Sequence, residues 1–325
     1  MLQQININNF RIFGGNHTID LSTNEKKPFT LISTITASGK TSLADAIEWC
    51  LGESRFGAAL QNLINIEETT KLKNGGHTIV SVELVFCVKE RPLSFKREVC
   101  AKKISKGLQM LYQKFFINGE SFTPAGYKKF INSCLPLWQL TTTLWNEKLH
   151  EKYFAKELQK EIECHVERER EVDLVIADVV SKATDLFMQL CKTHAFTLMW
   201  SKDAEMKIFK YTEDGRHYEY TPSSTLAIAS NLAFLLATFQ VLNCKIPSKI
   251  NYFFVIDDVL QRADLRVISI NELCNVLFPF QALFLAHQKS ICNANDMLTI
   301  QVGRQYSMVR SNDAWTNVQI EIINP

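Results

Sequence analysis

The stretch FTLISTITASGKTSLADAIEWCLGE, Phe29 to Glu53, decides how the rest of the chain must be arranged. It opens on Phe29-Thr30-Leu31-Ile32-Ser33, a short apolar, β-prone run of the kind that forms a buried strand. The small residues Thr34 to Ser38 follow, then Gly39-Lys40-Thr41. Beyond them Leu43, Ala46, Ile47 and Leu51 recur at helical spacing. Strand, small-residue loop, Gly-Lys-Thr and helix are the layout of a phosphate-binding P-loop. Backbone N–H groups at a helix N-terminus point at an anion, and the helix dipole favours negative charge there. In such a loop Gly39 lets the backbone approach phosphate, Lys40 reaches the β- and γ-phosphates, and the Thr41 hydroxyl holds Mg²⁺. The motif G-x-x-x-x-G-K-[ST] asks for Gly where this chain carries Thr34. A chance Gly-Lys-Thr at the start of an ordinary helix is the competing reading of these residues.

The chain has 325 residues, 46% of them hydrophobic and 22% charged, enough to fold as one large or two modest domains. The formal net charge of +2 provides no overall basic field, so nucleic-acid binding cannot be argued from charge. Nine cysteines are scattered with no C-x-x-C, which supports neither a zinc site nor a disulfide framework and suggests free thiols in a reducing cytoplasm. MLQQININNF carries neither a charged n-region nor an apolar h-region, so no signal peptide is expected. Leu226 to Leu242 is the most apolar run; Ser230, Asn231, Thr238 and Gln240 interrupt it, which predicts a buried helix and no membrane partner.

In chain order, Leu2 to Phe10 alternates as a half-buried strand, Gly14-Gly15 predicts a turn, and His17 to Leu21 a second strand. Gly57 to Gly76 reads as a polar, irregular insertion. Thr78 to Val88 and Leu93 to Val99 predict an antiparallel pair, and Met110 to Ile117 with Asn118-Gly119-Glu120 a further hairpin. Tyr127 to Cys134 is helical in pattern. Leu149 to Lys192 is the one long helical stretch, charge-rich at first and more apolar later. Two or three strands are expected from Phe196 to Tyr220, a helix from Thr225 to Leu242, and another from Val267 to Leu277. Met297 to Val302, Ser307 to Arg310 and Val318 to Ile323 predict closing strands.

The second half carries what a P-loop site needs in addition. Tyr252 to Ile256, YFFVI, is a continuous apolar run of the type found in fully buried parallel strands, and it ends in Asp257-Asp258. Asp257 is the candidate Mg²⁺ carboxylate and Asp258 the candidate water-polarising acid. A solvent-facing pair at a strand end is the alternative. Ala282 to Ala286 is another buried run, ending at His287. Residues just past strand C-termini line the ligand crevice of an α/β sheet, so Lys40, Asp257, Asp258 and His287 are expected along one edge.

With these landmarks in order across nearly the whole chain, the sequence resembles the head of the SMC/RecF-type branch of ABC ATPases. Within it the chain is most similar to DndD-like AAA-type ATPases of bacterial DNA metabolism and phage defence. INNFRIFGGNHTIDLS, Ile7 to Ser22, resembles the opening hairpin, and TITASGKTSLADAIEWCLGE the Walker A segment and its helix. VSVELVF with FKRE, Phe95 to Glu98, and INGESF, Ile117 to Phe122, match the hairpins that follow. TTLWNEKL, Thr142 to Leu149, lies at the Q-loop position, with Gln139 the nearest glutamine. YFFVIDD stands for Walker B, QRAD (Gln261 to Asp264) for the D-loop, and LFLAHQ for the switch-histidine strand. Departures are also visible. Thr34, Thr36 and Ala37 replace Gly, Asn and Gly of Walker A. The LSxGE signature is represented by Pro222 to Leu226, which keeps Ser223 and loses Gly and Glu. The arm is about 40 residues long and has no zinc-hook cysteines.

The resemblance implies an α/β P-loop ABC-type ATPase head with a mixed sheet, an antiparallel β-subdomain and a short helical arm that projects between the halves. Residues 1–148 and 193–325 would form the two halves and 149–192 the arm. It implies ATP and Mg²⁺ as cofactors. Thr36, Ala37, Ser38, Gly39, Lys40, Thr41 and Ser42 would hold phosphate. Thr41 and Asp257 would hold the metal, with Asp258 and His287 catalytic. Ser223 would contact nucleotide across a dimer. The expected function is a slowly hydrolysing head that dimerises around nucleotide, as a homodimer or with a second ATPase or effector subunit, in anti-phage defence or DNA repair. DNA is a candidate partner, with Lys102, Lys103, Lys106, Lys128 and Lys129 as candidate phosphate contacts. The alternative is a degenerate pseudo-ATPase with a structural or regulatory role; a small-molecule kinase on a P-loop scaffold is a weaker third.

Overall fold

Alternating apolar and polar residues over the first third of the chain build an antiparallel sheet. The structure is a computed structural model and describes residues 1–34, 39–52, 60–142, 144–145, 154–166, 169–201, 206–212, 214–246, 248–257, 269–278, 280–287, 301–310 and 318–324. Strand β1 (Leu2–Phe10) pairs with β2 (Phe13–Asp20), burying Ile5 and Ile7 and turning Gln4 and Asn6 toward the polar side. The chain reverses at Arg11 and Ile12, not at Gly14-Gly15 as the sequence predicts. Asn9 and Arg11 take left-handed backbone, φ 53° and 51°, and the Asn9 carboxamide accepts the Gly15 N–H at 2.8 Å. Asn tolerates that conformation because its side chain bonds the backbone locally, so the reversal needs no glycine at its apex.

The P-loop strand β3 (Phe29–Thr34) and helix α1 (Lys40–Leu51) follow. The segment read as irregular contains α2 (Leu60–Leu63) and α3 (Ile66–Lys71); Asn65 caps the latter by accepting from the N–H groups of Glu67 and Glu68. The sheet continues through β4 (His77–Val88), β5 (Arg91–Ile104), β6 (Gly107–Ile117) and β7 (Glu120–Phe122) in the order β2-β1-β4-β5-β6-β7. Lys89-Glu90 and Asn118-Gly119 make its tight turns with positive φ at both central residues, the hand that matches strand twist. Helix α4 (Pro124–Cys134) starts three residues before the predicted Tyr127, because Thr123 accepts from Gly126 N–H and Pro124 occupies the first turn.

After α5 (Trp138–Thr142) and β8 (Leu144–Trp145), the long helical stretch resolves into α6 (Phe154–His165) and α7 (Glu169–Cys191). The second of these does not project. Val175, Val179, Ala183, Leu186, Phe187 and Leu190 bury one face, spaced for helix packing, and α7 lies along α8 (Ser224–Lys245). Between them β9 (Phe196–Trp200), β10 (Met206–Tyr211) and β11 (His217–Tyr220) form a separate antiparallel sheet. Helix α8 is long and apolar enough to cross a membrane, but 72% of its apolar window is buried within the protein, which fits the core-helix reading.

The central sheet adds β12 (Phe253–Asp257), α9 (Ile270–Leu277), β13 (Gln281–His287), β14 (Val302–Arg310) and β15 (Val318–Asn324). Its order is β15-β14-β3-β13-β12-β8, parallel throughout except for β15. The fold is therefore mixed α/β with an antiparallel and a mixed sheet, as expected. Phe86 meets Phe253 across the two sheets at 5.8 Å between ring centroids. The buried Gln281 side chain bonds Leu2 N and O and Ser22 O, pinning the start of β13 to the N-terminal lobe.

Candidate phosphate-binding site

The site grows from the parallel strand order. β3, β13 and β12 are neighbours, so their C-terminal ends share one edge. Thr34 is in register with His287, and Leu285 with Asp257. Side chains alternate along a strand, so Thr34, His287 and Asp257 project to the same face of the sheet.

Gly39 precedes α1 with φ 99°, a left-handed conformation in which a side chain is strained. A Cβ there would stand 2.8 Å from Ile12 in the β1–β2 turn and 3.2 Å from Met308 on β14. That turn is fixed over α1 by the Arg11–Asp45 ion pair, in which Asp45 is buried. Gly39→Ala is expected to lower the unfolding free energy by about 1–3 kcal/mol, from left-handed strain and the clash with Ile12. Urea denaturation would read this, and a change under 0.5 kcal/mol would show that the turn yields.

Glycine also leaves the N-terminus of α1 with no side-chain cap, in contrast to Asn65, Thr123, Ser223 and Ser269 at other helices. A helix N-terminus without a side-chain cap is an arrangement that suits an anion. Lys40 is 7% exposed, and its ammonium donates to the Thr34 hydroxyl at 3.4 Å. The Thr41 hydroxyl, on the exposed side of the helix, donates to Asp257 Oδ2 at 3.0 Å. Asp257 is 4% exposed at the end of a fully buried strand. A hydroxyl and a carboxylate oxygen converging beside a buried cation and a helix N-terminus suit a polyphosphate with its hard, oxygen-liganded cation. These residues fit Mg²⁺ and a nucleoside triphosphate: Thr41 and Asp257 as oxygen ligands, Lys40 as the phosphate cation.

Of the residues singled out from sequence, Gly39, Lys40, Thr41, Asp257 and His287 are thus brought to one sheet edge, with Ser42 half-buried on the first turn of α1. Thr36, Ala37, Ser38 and Asp258 lie outside the described residues. Ser223 belongs to another element, exposed at the N-terminus of α8, where its hydroxyl accepts from Leu226 N–H. Gln139 is exposed on α5, upstream of β8, and residues 146–150 beyond that strand are outside the described set. Lys103 donates to Thr69 O at 3.1 Å, a structural use, whereas Lys106, Lys128 and Lys129 are exposed.

Two supports of the site carry no signal in the local sequence. Arg97 of the FKRE segment donates Nη1 to Trp49 O and Gly52 O, capping the C-terminus of α1. The Arg11–Asp45 pair holds the turn against the same helix. Both residues stand in quoted motifs, but nothing local in the sequence indicates what they touch.

Comparison with known proteins bears on the family and the fold. The family model for an AAA domain (AAA_23) matches residues 4–214, ending before Ser223, Asp257 and His287. No curated protein matches the chain. Among solved structures, the SMC head domain from Thermotoga maritima superposes with a TM-score of 0.60 at 16% identity, covering 100% of this chain and 99% of that one. The recombination mediator protein RecF bound to ATP, of the RecFOR pathway, superposes with a TM-score of 0.54 at 14% identity, covering 98% and 97%.

Proposed function

The chain belongs to the AAA domain family, and from that premise we propose that it is an ATP-binding, slowly hydrolysing head of the SMC/RecF type. It closes on a second head around nucleotide and couples that closure to DNA or to an effector subunit, in bacterial anti-phage defence or DNA repair within the cytoplasm. The observation that carries this reading is the Thr41–Asp257 hydrogen bond beside buried Lys40, which joins residues 216 positions apart. A P-loop hydroxyl and a strand-end carboxylate meet there without any local sequence reason to do so.

In this reading Lys40 and the N–H groups of Ala37 to Gly39 hold the phosphates, with Thr36 and Ser42 at the flanks of the loop. Thr41 and Asp257 hold Mg²⁺, which when bound neutralises charge on the β- and γ-oxygens. Asp258 orients and polarises the attacking water; its shorter side chain than Glu makes it a weaker base through reach. His287, on the strand beside β3, senses the γ-phosphate. Ser223 of a second subunit completes the site, which suits its exposure at a helix N-terminus. Residues 1–148 and 193–325 are the two halves of the head, joined by residues 149–192, of which α7 is docked along α8.

The second reading is a pseudo-ATPase that scaffolds a partner. The missing Gly and Glu of the segment Pro222 to Leu226 favour it, since a Cβ there hinders backbone approach to phosphate. The two are separated by light scattering and turnover assays of the full chain with MgATP. Asp258→Asn is expected to slow hydrolysis about tenfold or more and to prolong an ATP-induced dimer accordingly. Absence of ATP binding at millimolar concentration would decide for the scaffold.

A further inference from the structure

Thr34 is the residue at which the loop leaves its motif, and it stands where the loop's cation is held. Its hydroxyl receives the Lys40 ammonium at 3.4 Å, a long bond between two groups that are 2% and 7% exposed. An ammonium withdrawn from water must direct its donors to neighbouring acceptors. Glycine at this position would offer it no side-chain acceptor; threonine does. The surroundings fix Thr34 in place. It is the last residue of β3, paired on one side with His287 of β13 and on the other with Met308 of β14. β-Branching restricts its χ1, so the hydroxyl is held with little rotamer freedom.

We infer that Thr34 is a positioning residue that sets nucleotide affinity. Its hydroxyl holds the Lys40 ammonium at the end of β3, and an incoming triphosphate must draw the ammonium from that acceptor to its own oxygens. This rests on the nucleotide-binding reading above and adds the residue that tunes it. No covalent bond changes; one acceptor of the same donor replaces another. The cost is specific to ligands that engage Lys40, and it is larger for ATP than for ADP because the lysine of this motif spans the β- and γ-phosphates.

The test is calorimetric titration of the full chain with MgATP and MgADP. Thr34→Val keeps the branched shape and removes the acceptor; it is expected to tighten ATP binding about three- to tenfold, less than a full charge-assisted hydrogen bond because this one is long at 3.4 Å. Thr34→Ser keeps a hydroxyl and stays within about twofold of wild type, and ADP responds less than ATP. Thr34→Gly, the residue the motif asks for, gives the same comparison if the valine variant fails to fold. Unchanged or weaker ATP binding in Thr34→Val or Thr34→Gly, with Lys40→Ala still abolishing it, overturns the inference and leaves the nucleotide reading intact. Absence of binding in wild type and every variant overturns both.

Discussion

Lys40→Ala is expected to weaken MgATP binding at least about 100-fold, to the point of loss at millimolar nucleotide. The side chain is the buried cation of the site, on the first turn of α1 and next to the Thr41–Asp257 pair. A lysine that bridges two phosphates makes at least two charge-assisted hydrogen bonds, each worth about 1.5–3 kcal/mol, and 1.4 kcal/mol is tenfold in affinity. The fold should survive the change, because removing an ammonium from a buried position relieves its desolvation. Thermal unfolding at or above the wild-type midpoint, together with lost binding, is the expected pair of results. Retained affinity in a folded Lys40→Ala protein would mean that the loop is not the phosphate site. Asp257→Asn in the same titration should keep nucleotide affinity within about tenfold and lose most of its Mg²⁺ dependence, since the carboxylate, not the amide, suits a hard divalent cation.

Arg97→Met is expected to be the most destabilising single change near the site, at about 3 kcal/mol. The guanidinium donates to Trp49 O at 2.8 Å and to Gly52 O at 2.6 Å, and it lies 4.6 Å from the Trp49 ring centroid and 5.2 Å from that of Phe115. The last turn of α1 holds no basic residue of its own, so Arg97 reaches across from β5 to satisfy carbonyls at the negative end of the helix dipole. Removing it leaves carbonyls without this donor and deletes a stacked cation, which together account for the estimate. A fall in melting temperature of about 5 °C or more follows. Arg97→Lys should recover only part of it, because an ammonium lacks the planar face that the guanidinium lays over the indole. A loss below 0.5 kcal/mol for Arg97→Met would show that other donors take over. Since α1 carries Lys40 and Thr41, loosening its far end should also weaken nucleotide binding, but less than Lys40→Ala does.

Much of the fold is legible locally. Phe29 to Glu53 encodes its strand and helix through residue pattern alone, and the hairpins from Thr78 to Phe122 announce themselves by alternation and by Asn118-Gly119. The reversal at Arg11 is not legible, because Gly14-Gly15 is the stronger composition signal, whereas the carboxamide of Asn9 decides the geometry. The end of α6 at His165 and the docking of α7 along α8 are not legible either. An apolar face with helical period tells that a helix must pack, not against which neighbour.

The residue types of the site and the elements that carry them follow from local sequence. Gly39, Lys40 and Thr41 open a helix, and Asp257 and His287 end apolar strands, because these are consequences of local propensity and period. That Thr34 receives the Lys40 ammonium, that Thr41 meets Asp257, and that Arg97 closes the far end of α1 are facts of the folded packing. The contacts of Thr41 and Arg97 join residues distant in the chain through strand order and register. The Thr34 contact, though it spans only six residues, needs the end of β3 and the start of α1 to be set side by side. Strand order, register and burial are set by the packing of the whole core, and no window of sequence contains them.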